Sequence, residues 1–416
     1  MKIVIIAGGQ GTRIASVNGE IPKAMIPICG KPILEYEIEI AKRYGYREFL
    51  FIVGHMGDQI TAYFGNGDRW GVSIEYFYEK TPLGTAGALA YLKAKLTEDF
   101  FVFYGDTIFD VDLQRMVLFH CENNADATLF VHPNDHPYDS DLVDMDTDNR
   151  VRNFFIKPHP DHLISRNIVN ASLFVFSPTV LNYIPVGEKC HIEKNVLPIC
   201  LTAGLKVFGY KSFEYIKDMG TPDRYYSVTD DVKSGKVLRL NLKYPRKAIF
   251  LDRDGTISEE VKFLCKPEQL HLIPGAAEAI RMINHSEYLA IVVTNQPVIA
   301  RNMCTIEELD YIHAKLETLL GAEHAFLNEI YYCPHHPDKG YPEERPEYKI
   351  ECNCRKPKPG LLLRAAKDWN INLAESIMIG DSDRDVQAGE NAGCKVSVKI
   401  GTNEPNALLN MVKKIL

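Results

Sequence analysis

Phe250-Leu-Asp-Arg-Asp-Gly-Thr256 decides how the second half of this chain is read. The apolar run Lys247-Ala-Ile-Phe-Leu251 comes before the first acid and predicts a buried parallel strand, and a glycine turn closes the stretch. Asp252 and Asp254 stand two apart, so on an extended backbone both carboxylates project to one side. Two acids at a strand's carboxyl end suit one that attacks, one that shuttles protons, and a hard cation gathered between them. Three later stretches place a hydroxyl, a cation and a second acid pair beside strand or helix ends. They are Thr294-Asn-Gln296 after Leu289-Ala-Ile-Val-Val293, then Arg355-Lys-Pro-Lys-Pro-Gly360, then Gly380-Asp-Ser-Asp-Arg-Asp385 after Ser376-Ile-Met-Ile379.

Taken in order, these motifs resemble the haloacid-dehalogenase superfamily of phosphohydrolases, over residues 247 to 416. The resemblance implies a doubly wound parallel sheet and a covalent route. Asp252 would attack phosphorus, and Asp254 would protonate the leaving alkoxide and then activate water. Thr294 and Lys356 would hold the phosphoryl oxygens, with Asn295 and Arg355 on the sugar-phosphate side. Mg²⁺ would be held by Asp252, Asp381 and the backbone carbonyl at Asp254, while Asp385 supports that set.

A chain of 416 residues predicts two domains, each with its own core. The net charge of −8 argues against a nucleic-acid partner, so anionic substrates would be held by local cations, metals and backbone amides. No apolar stretch is long enough to span a membrane, and Met1-Lys-Ile-Val-Ile-Ile-Ala-Gly-Gly9 is too short an apolar run for a signal peptide, so a cytoplasmic location without membrane association is expected. Six of the ten cysteines (Cys29, Cys121, Cys190, Cys200, Cys304 and Cys394) lie in apolar contexts, and buried free thiols are expected for most of them.

The first domain opens on a strand, Lys2-Ile-Val-Ile-Ile-Ala7, and a glycine turn, Gly8-Gly-Gln-Gly-Thr-Arg13, that lets backbone amides approach phosphate. With Ile21-Pro-Lys-Ala-Met-Ile-Pro-Ile-Cys-Gly-Lys-Pro32 it resembles the signature of the sugar-1-phosphate nucleotidyltransferases, a likeness covering residues 1 to 230. Alternating strands and helices then predict a Rossmann-like α/β domain with a mixed sheet. The resemblance implies nucleotide binding by Gly8, Gly9, Gly11, Thr12, Arg13 and Lys23, with Gly84 and Thr85 against the base. Asp106, at the end of Phe100-Phe-Val-Phe-Tyr-Gly-Asp106, and Asp218 would hold a first-domain Mg²⁺. A sugar-1-phosphate oxygen would attack the α-phosphorus of a nucleoside triphosphate, with Arg13 and Lys23 offsetting the charge.

On the sugar side the candidates are Lys157, Asn170 and Glu193. Here the chain departs from the family: Ile156 replaces the usual glutamate before Lys157-Pro158, and Ser172 stands where a glycine is common. The polar tract from Pro133 to Arg150 reads as a hairpin with solvated turns. Residues 231–245 read as a linker with room for one short helix, and residues 246–416 form the second domain.

Cys333, His335, Cys352 and Cys354 suit a tetrahedral zinc. The pattern before Arg355-Lys356-Pro357 resembles the zinc-bearing phosphatases of heptose bisphosphate and histidinol phosphate, which implies a structural zinc pinning the loop of Arg355 and Lys356, with His335 rather than His336 as ligand. Phe-Leu-Asp-Arg-Asp-Gly-Thr-Ile257 and Thr-Asn-Gln296 favour the heptose 1,7-bisphosphate 7-phosphatases in that group, although Pro297-Val-Ile-Ala-Arg-Asn302 and Glu259–Lys266 depart from its habits. The first domain looks most like the D-glycero-α-D-manno-heptose-1-phosphate guanylyltransferases. Consecutive steps toward GDP-heptose are therefore expected, from heptose 1,7-bisphosphate through heptose 1-phosphate and GTP. Mannose 1-phosphate or another sugar phosphate with GTP, CTP or another triphosphate, joined to a histidinol-phosphate-type phosphatase, is the alternative. Homo-oligomerisation is left open.

Overall fold

The strand Ile3–Ile6 lies in the middle of the first sheet, with every residue but the last buried. The computed structural model describes all residues except Gln10 and 339–342, and for Thr12, Ala15 and Asn18 the backbone alone. Ile3–Ile6 pairs in parallel with Glu48–Val53 on one side and Phe100–Tyr104 on the other. Ser73–Tyr78 extends the sheet in parallel beyond Glu48–Val53, whereas Val169–Phe176 runs antiparallel against Phe100–Tyr104. The result is a mixed sheet of nine strands, with Leu142–Met145, Val151–Phe155, Ala127–His132 and Val207–Lys211 completing it. Its central strands read as continuous apolar runs because helices such as Ile33–Arg43 and Leu113–Glu122 cover them. The polar tract supplies only the first strand of a hairpin, Leu142–Met145; its partner, Val151–Phe155, lies past Arg150, and 133–140 take no part in it.

The second sheet has five strands, all parallel, in the order Glu329–Cys333, Tyr288–Asn295, Lys247–Leu251, Ile377–Gly380, Val396–Lys399. Lys247–Leu251 is central, so Asp252 leaves the sheet at its middle, where doubly wound sheets bind ligands. The helix Ile306–Ala322 starts with a capping box of Thr305 and Glu308, the side chain of each meeting the other's backbone N–H.

The chain divides into two compact units. The first holds 1–132, 141–156 and 169–241; the second holds 133–140, 157–168 and 242–416. Two short segments from the stretch read as first domain thus fold within the second unit. Much of the stretch read as linker is ordered in the first: the helix Pro222–Lys233 runs into it, Lys236–Arg239 forms the short helix, and Asn241 is buried with its amide on Asp110 Oδ1 at 2.7 Å. Of the six scattered cysteines, Cys190, Cys200 and Cys304 are buried, Cys394 is half-buried, and Cys29 and Cys121 are exposed.

Candidate active sites

In the first unit, Tyr215–Asp218 pairs antiparallel with Thr107–Asp110, which sets Asp218 opposite Thr107. The N–H of Met219 donates to the carbonyl of Asp106 at 2.9 Å, so the two acids expected to hold a metal meet across one strand pair. The Lys23 ammonium pairs with the Asp106 carboxylate. Arg224 Nη1 donates to Asp218 Oδ2 at 2.6 Å, and the Gly220 N–H donates to Oδ1 at 2.9 Å. Burial pushes the Asp218 carboxyl up, but Arg224, that N–H and Lys23 outweigh it and hold the group below its usual range. A side chain at Gly220 would run into Asp218 and the guanidinium of Arg13, so Arg13 borders the same carboxylate. Two carboxylates ringed by Lys23, Arg13 and Arg224 leave an excess of positive charge, which fits phosphate groups, and the two acids supply the hard oxygens that would hold a divalent cation brought in with them.

The glycine turn leads away from Ile3–Ile6, and Gly8 leaves no room for a side chain beside Glu79 and Gly54, whereas Gly9 faces open space. Gly11 has φ +64. The side chain of Thr12 lies outside the described residues. Gly84 has φ +78, and any Cβ there would strike the backbone of Cys190, because Leu83 and Ala86 hydrogen-bond that backbone on either side. This closure brings Thr85 to Glu193: Thr85 Oγ1 accepts the N–H of Ile192 at 2.9 Å, and Tyr104 OH donates to Glu193 Oε1 at 2.7 Å. Glu193 sits in a π-helical turn, Ile192–Val196, and burial pushes its carboxyl up. Asn170 lies at a bulge in Val169–Phe176, where its Oδ1 accepts the N–H of Ser172 at 3.3 Å. Lys157 belongs to the second unit, and its ammonium is taken up by the carbonyl and carboxylate of Asp139 at 2.7 and 3.2 Å.

In the second unit, Asp252, Asp254, Thr294, Asn295, Arg355, Lys356 and Asp381 all line one cavity of about 310 Å³ at the carboxyl ends of the central strands. Lys356 is almost fully buried and lies 2.8 Å from Asp252 Oδ1 and 2.5 Å from Asp385 Oδ1. Burial raises Asp252 to about 7, against the pull of Lys356, and the charges of Asp385 and Asp254 add to the rise. Asp252, Asp381 and Asp385 offer oxygens within 4.8 Å of one another. Three carboxylates against one lysine leave an excess of negative charge, which fits Mg²⁺. Gly255, at φ +78, is required here, because a side chain would occupy the place of the Asp381 carboxylate.

Asp254 points into the same cavity but is held differently. Arg253, wholly buried, grips both its oxygens at 2.8 and 2.9 Å, and Gln296 Nε2 donates to Oδ2 at 2.8 Å. Gln296 also donates to Thr294 Oγ1 at 2.9 Å, tying the hydroxyl to the acid. Asn295 clamps the backbone of Lys356, accepting its N–H at 3.0 Å and donating to its carbonyl at 3.1 Å. Arg253, Gln296, Tyr104 and Arg224 were not singled out from sequence. Gln296 and Arg253 stand inside quoted motifs and could have been found there; Tyr104 and Arg224 carry no local mark.

Beside this cavity Cys333, His335, Cys352 and Cys354 form one cluster, all four donor atoms within 4.8 Å. Their contacts run from 3.1 Å (Cys354 Sγ to Cys333 Sγ) to 3.6 Å (Cys333 Sγ to His335 Nδ1), too long for a disulfide and near the edge of a tetrahedron built on Zn–S bonds of about 2.3 Å. The four fit zinc. His336 Nδ1 instead accepts the N–H of Asp338 at 3.2 Å. Arg355 Nη1 donates to the carbonyl of His335 at 3.1 Å, so the cluster and the cationic loop are joined.

Residues 2–235 match the family model described as nucleotidyl transferase, and residues 353–414 match the one described as HAD-hydrolase-like. A UTP–glucose-1-phosphate uridylyltransferase of Synechocystis is 30% identical over 58% of this chain and 66% of its own length. A mannose-1-phosphate guanylyltransferase of Mycobacterium tuberculosis is 33% identical over 56% of this chain and 64% of its own. A D-glycero-beta-D-manno-heptose-1,7-bisphosphate 7-phosphatase of Haemophilus influenzae is 38% identical over 38% of this chain and 84% of its own. The chain thus spans just under two thirds of those two nucleotidyltransferases and most of the phosphatase. No helix among the described residues is long and apolar enough to cross a membrane. By these matches the chain belongs to the nucleotidyl transferase family and carries, joined to it, a HAD-like unit of the heptose-bisphosphate phosphatase family.

Proposed function

We propose that the second unit removes the 7-phosphate of heptose 1,7-bisphosphate and that the first transfers GMP from GTP to the resulting heptose 1-phosphate, giving GDP-heptose and pyrophosphate. The observation that carries this reading is the presence of two separate acid clusters, one per unit, each with its own lysine. Mg²⁺, when bound by Asp106 and Asp218 or by Asp252, Asp381 and the carbonyl of Asp254, would neutralise phosphate charge.

In the second unit Asp252 attacks the phosphorus, the bond from phosphorus to the sugar oxygen breaks, and Asp254 gives that oxygen a proton. Water then attacks the aspartyl-phosphate as Asp254 takes up its proton, which frees phosphate and restores Asp252. Thr294 and Lys356 steady the phosphoryl oxygens, Asn295 fixes the lysine's backbone, and Arg355 faces the sugar phosphate. Both oxygens of Asp254 are engaged by Arg253 and Gln296, so proton transfer requires one of these contacts to open. The zinc cluster supports the loop of Arg355 and Lys356 and stands outside the chemistry.

In the first unit a phosphate oxygen of the sugar 1-phosphate attacks the α-phosphorus of GTP, and the bond to pyrophosphate breaks. No side chain becomes covalently bound. Amides of Gly8, Gly9 and Gly11, with Thr12, Arg13 and Lys23, hold the phosphates; Gly84 and Thr85 lie against the base; Asn170 and Glu193 serve the sugar side, and Lys157, paired with Asp139 in the second unit, is left out of that set.

The test is incubation with heptose 1,7-bisphosphate, Mg²⁺ and each nucleoside triphosphate in turn, with products identified by mass. GDP-heptose from GTP is expected. Turnover of other sugar phosphates with none of heptose bisphosphate would overturn the reading. Mannose 1-phosphate is the second candidate acceptor, favoured by the relative at 33% identity, and belongs in the same panel.

A further inference from the structure

The helix Ile306–Ala322 of the second unit carries a buried carboxylate that no phosphatase step uses. Glu317 has a side chain only 5% exposed. It receives Arg166 Nε at 2.9 Å, Arg166 Nη2 at 3.2 Å and the backbone N–H of Asn167 at 2.8 Å. Asp310 takes the remaining prong of the guanidinium at 2.6 Å. Next to this, Thr318 Oγ1 accepts the N–H of Ser165 and donates to its carbonyl, both at 3.2 Å.

A second segment lies beside the first. Asn167 Nδ2 donates to the carbonyl of Asn134 at 2.7 Å, and the N–H of Asn134 returns a bond to Asn167 Oδ1 at 3.2 Å. Pro137 rests on Gly321, where any Cβ would collide with its ring, so the helix has a gap shaped for that proline. The ring of Tyr138 meets His324 edge to face, with centroids 5.7 Å apart.

We propose that these contacts form a clasp: the helix Ile306–Ala322 is a docking surface for two segments of this same chain, 133–140 and 157–168, and the clasp holds the two halves together even when the backbone between them is cut. Isolated surface ion pairs add little to stability. This one is different in kind, because a buried carboxylate stripped of its guanidinium is left desolvated and unpaired. The seat is also specific in shape. A planar fork fills it, a serine backbone flanks the fork on one side, and an asparagine that fastens the second segment flanks it on the other. The docked segment continues directly into Val169–Phe176, the strand bearing Asn170, so the clasp anchors one end of that strand.

The test uses the full chain with a protease site inserted after Tyr244, in the exposed stretch past the residues that pack in the first unit, cleaved under native conditions and passed over a sizing column. The two fragments of the otherwise unaltered protein are expected to elute together. Arg166→Glu and Glu317→Arg should each weaken their association on the order of a hundredfold, and the double charge swap should restore only part of it, because Asp310 and the N–H of Asn167 then face the wrong partner. Neither residue belongs to the proposed catalytic machinery, so the uncleaved variants should keep both activities, which separates undocking from unfolding. Should a reversal variant fail to fold, Arg166→Lys, which keeps the charge and loses the fork, takes its place and should still loosen the pair. Fragments that part without any substitution would overturn the proposal, and so would fragments that stay together in every variant.

Discussion

The two candidate sites use the same ingredients, a pair of aspartates and a lysine, in opposite settings. In the first unit Asp106 and Asp218 meet across an antiparallel pair, and their side chains remain 28% and 45% exposed. In the second, Asp252 and Lys356 sit at the carboxyl end of a central parallel strand, with Lys356 2% exposed. An open pair of acids suits a reaction in which the substrates bring both nucleophile and leaving group and the protein only positions them. A more enclosed acid, 14% exposed and held by one buried lysine, suits attack by the side chain itself. The lesson is that burial separates the two roles more sharply than residue type does.

The strongest way to break this comparison is Asp252→Asn. Phosphate release should fall by on the order of 10⁴-fold or more, since the attacking oxygen is gone, while nucleotidyl transfer stays unchanged. If both activities fell together, the sites would not be independent. Asp218→Asn is the converse, with nucleotidyl transfer expected to drop about 10²- to 10³-fold and phosphate release untouched. Cys352→Ser should lower bound zinc, measured by elemental analysis, and reduce phosphatase kcat/KM by about 10²-fold through misplacement of Arg355 and Lys356; unchanged kinetics with zinc lost would detach the cluster from the site. Gln296→Leu removes the bridge between Asp254 and Thr294 and should cost about tenfold in phosphatase kcat, with transfer kinetics again the internal control. The smallest effect is expected at Ser172, which holds φ +58 in the first unit. Ser172→Gly relieves a left-handed serine and should stabilise that unit by about 0.5–1 kcal/mol, seen as a small rise in its thermal midpoint.

What was legible in the sequence was what is local. Asp252, Asp381 and Asp106 each follow an apolar run, so strand, turn and acid announce one another within a few residues. The cluster of Cys333, His335, Cys352 and Cys354 was legible because soft ligands at close spacing are rare by chance. The grip of Arg253 and Gln296 on Asp254 was not, since Gln296 lies 42 residues further on and only the folded sheet brings its amide to that carboxylate. Tyr104 meets Glu193 across 89 residues and, within an apolar strand, looks like any core aromatic. The departure at Ser172 was visible as a missing glycine, but that the backbone still takes the glycine conformation there is a fact of the bulge, not of the residue. Least legible were residues 133–140 and 157–168. Their polarity reads as exposure, whereas 157–168 bonds to a helix more than a hundred residues away and 133–140 bonds to 157–168.

Arg166 and Glu317 are separated by 151 positions, and that distance sets an order of events during synthesis. Ribosomes deliver the chain from its amino end, so every strand of the nine-stranded sheet emerges before the helix that Arg166 needs. A nascent polypeptide therefore carries an unmatched guanidinium until residues 306–322 have been made. An early segment waits for a late helix.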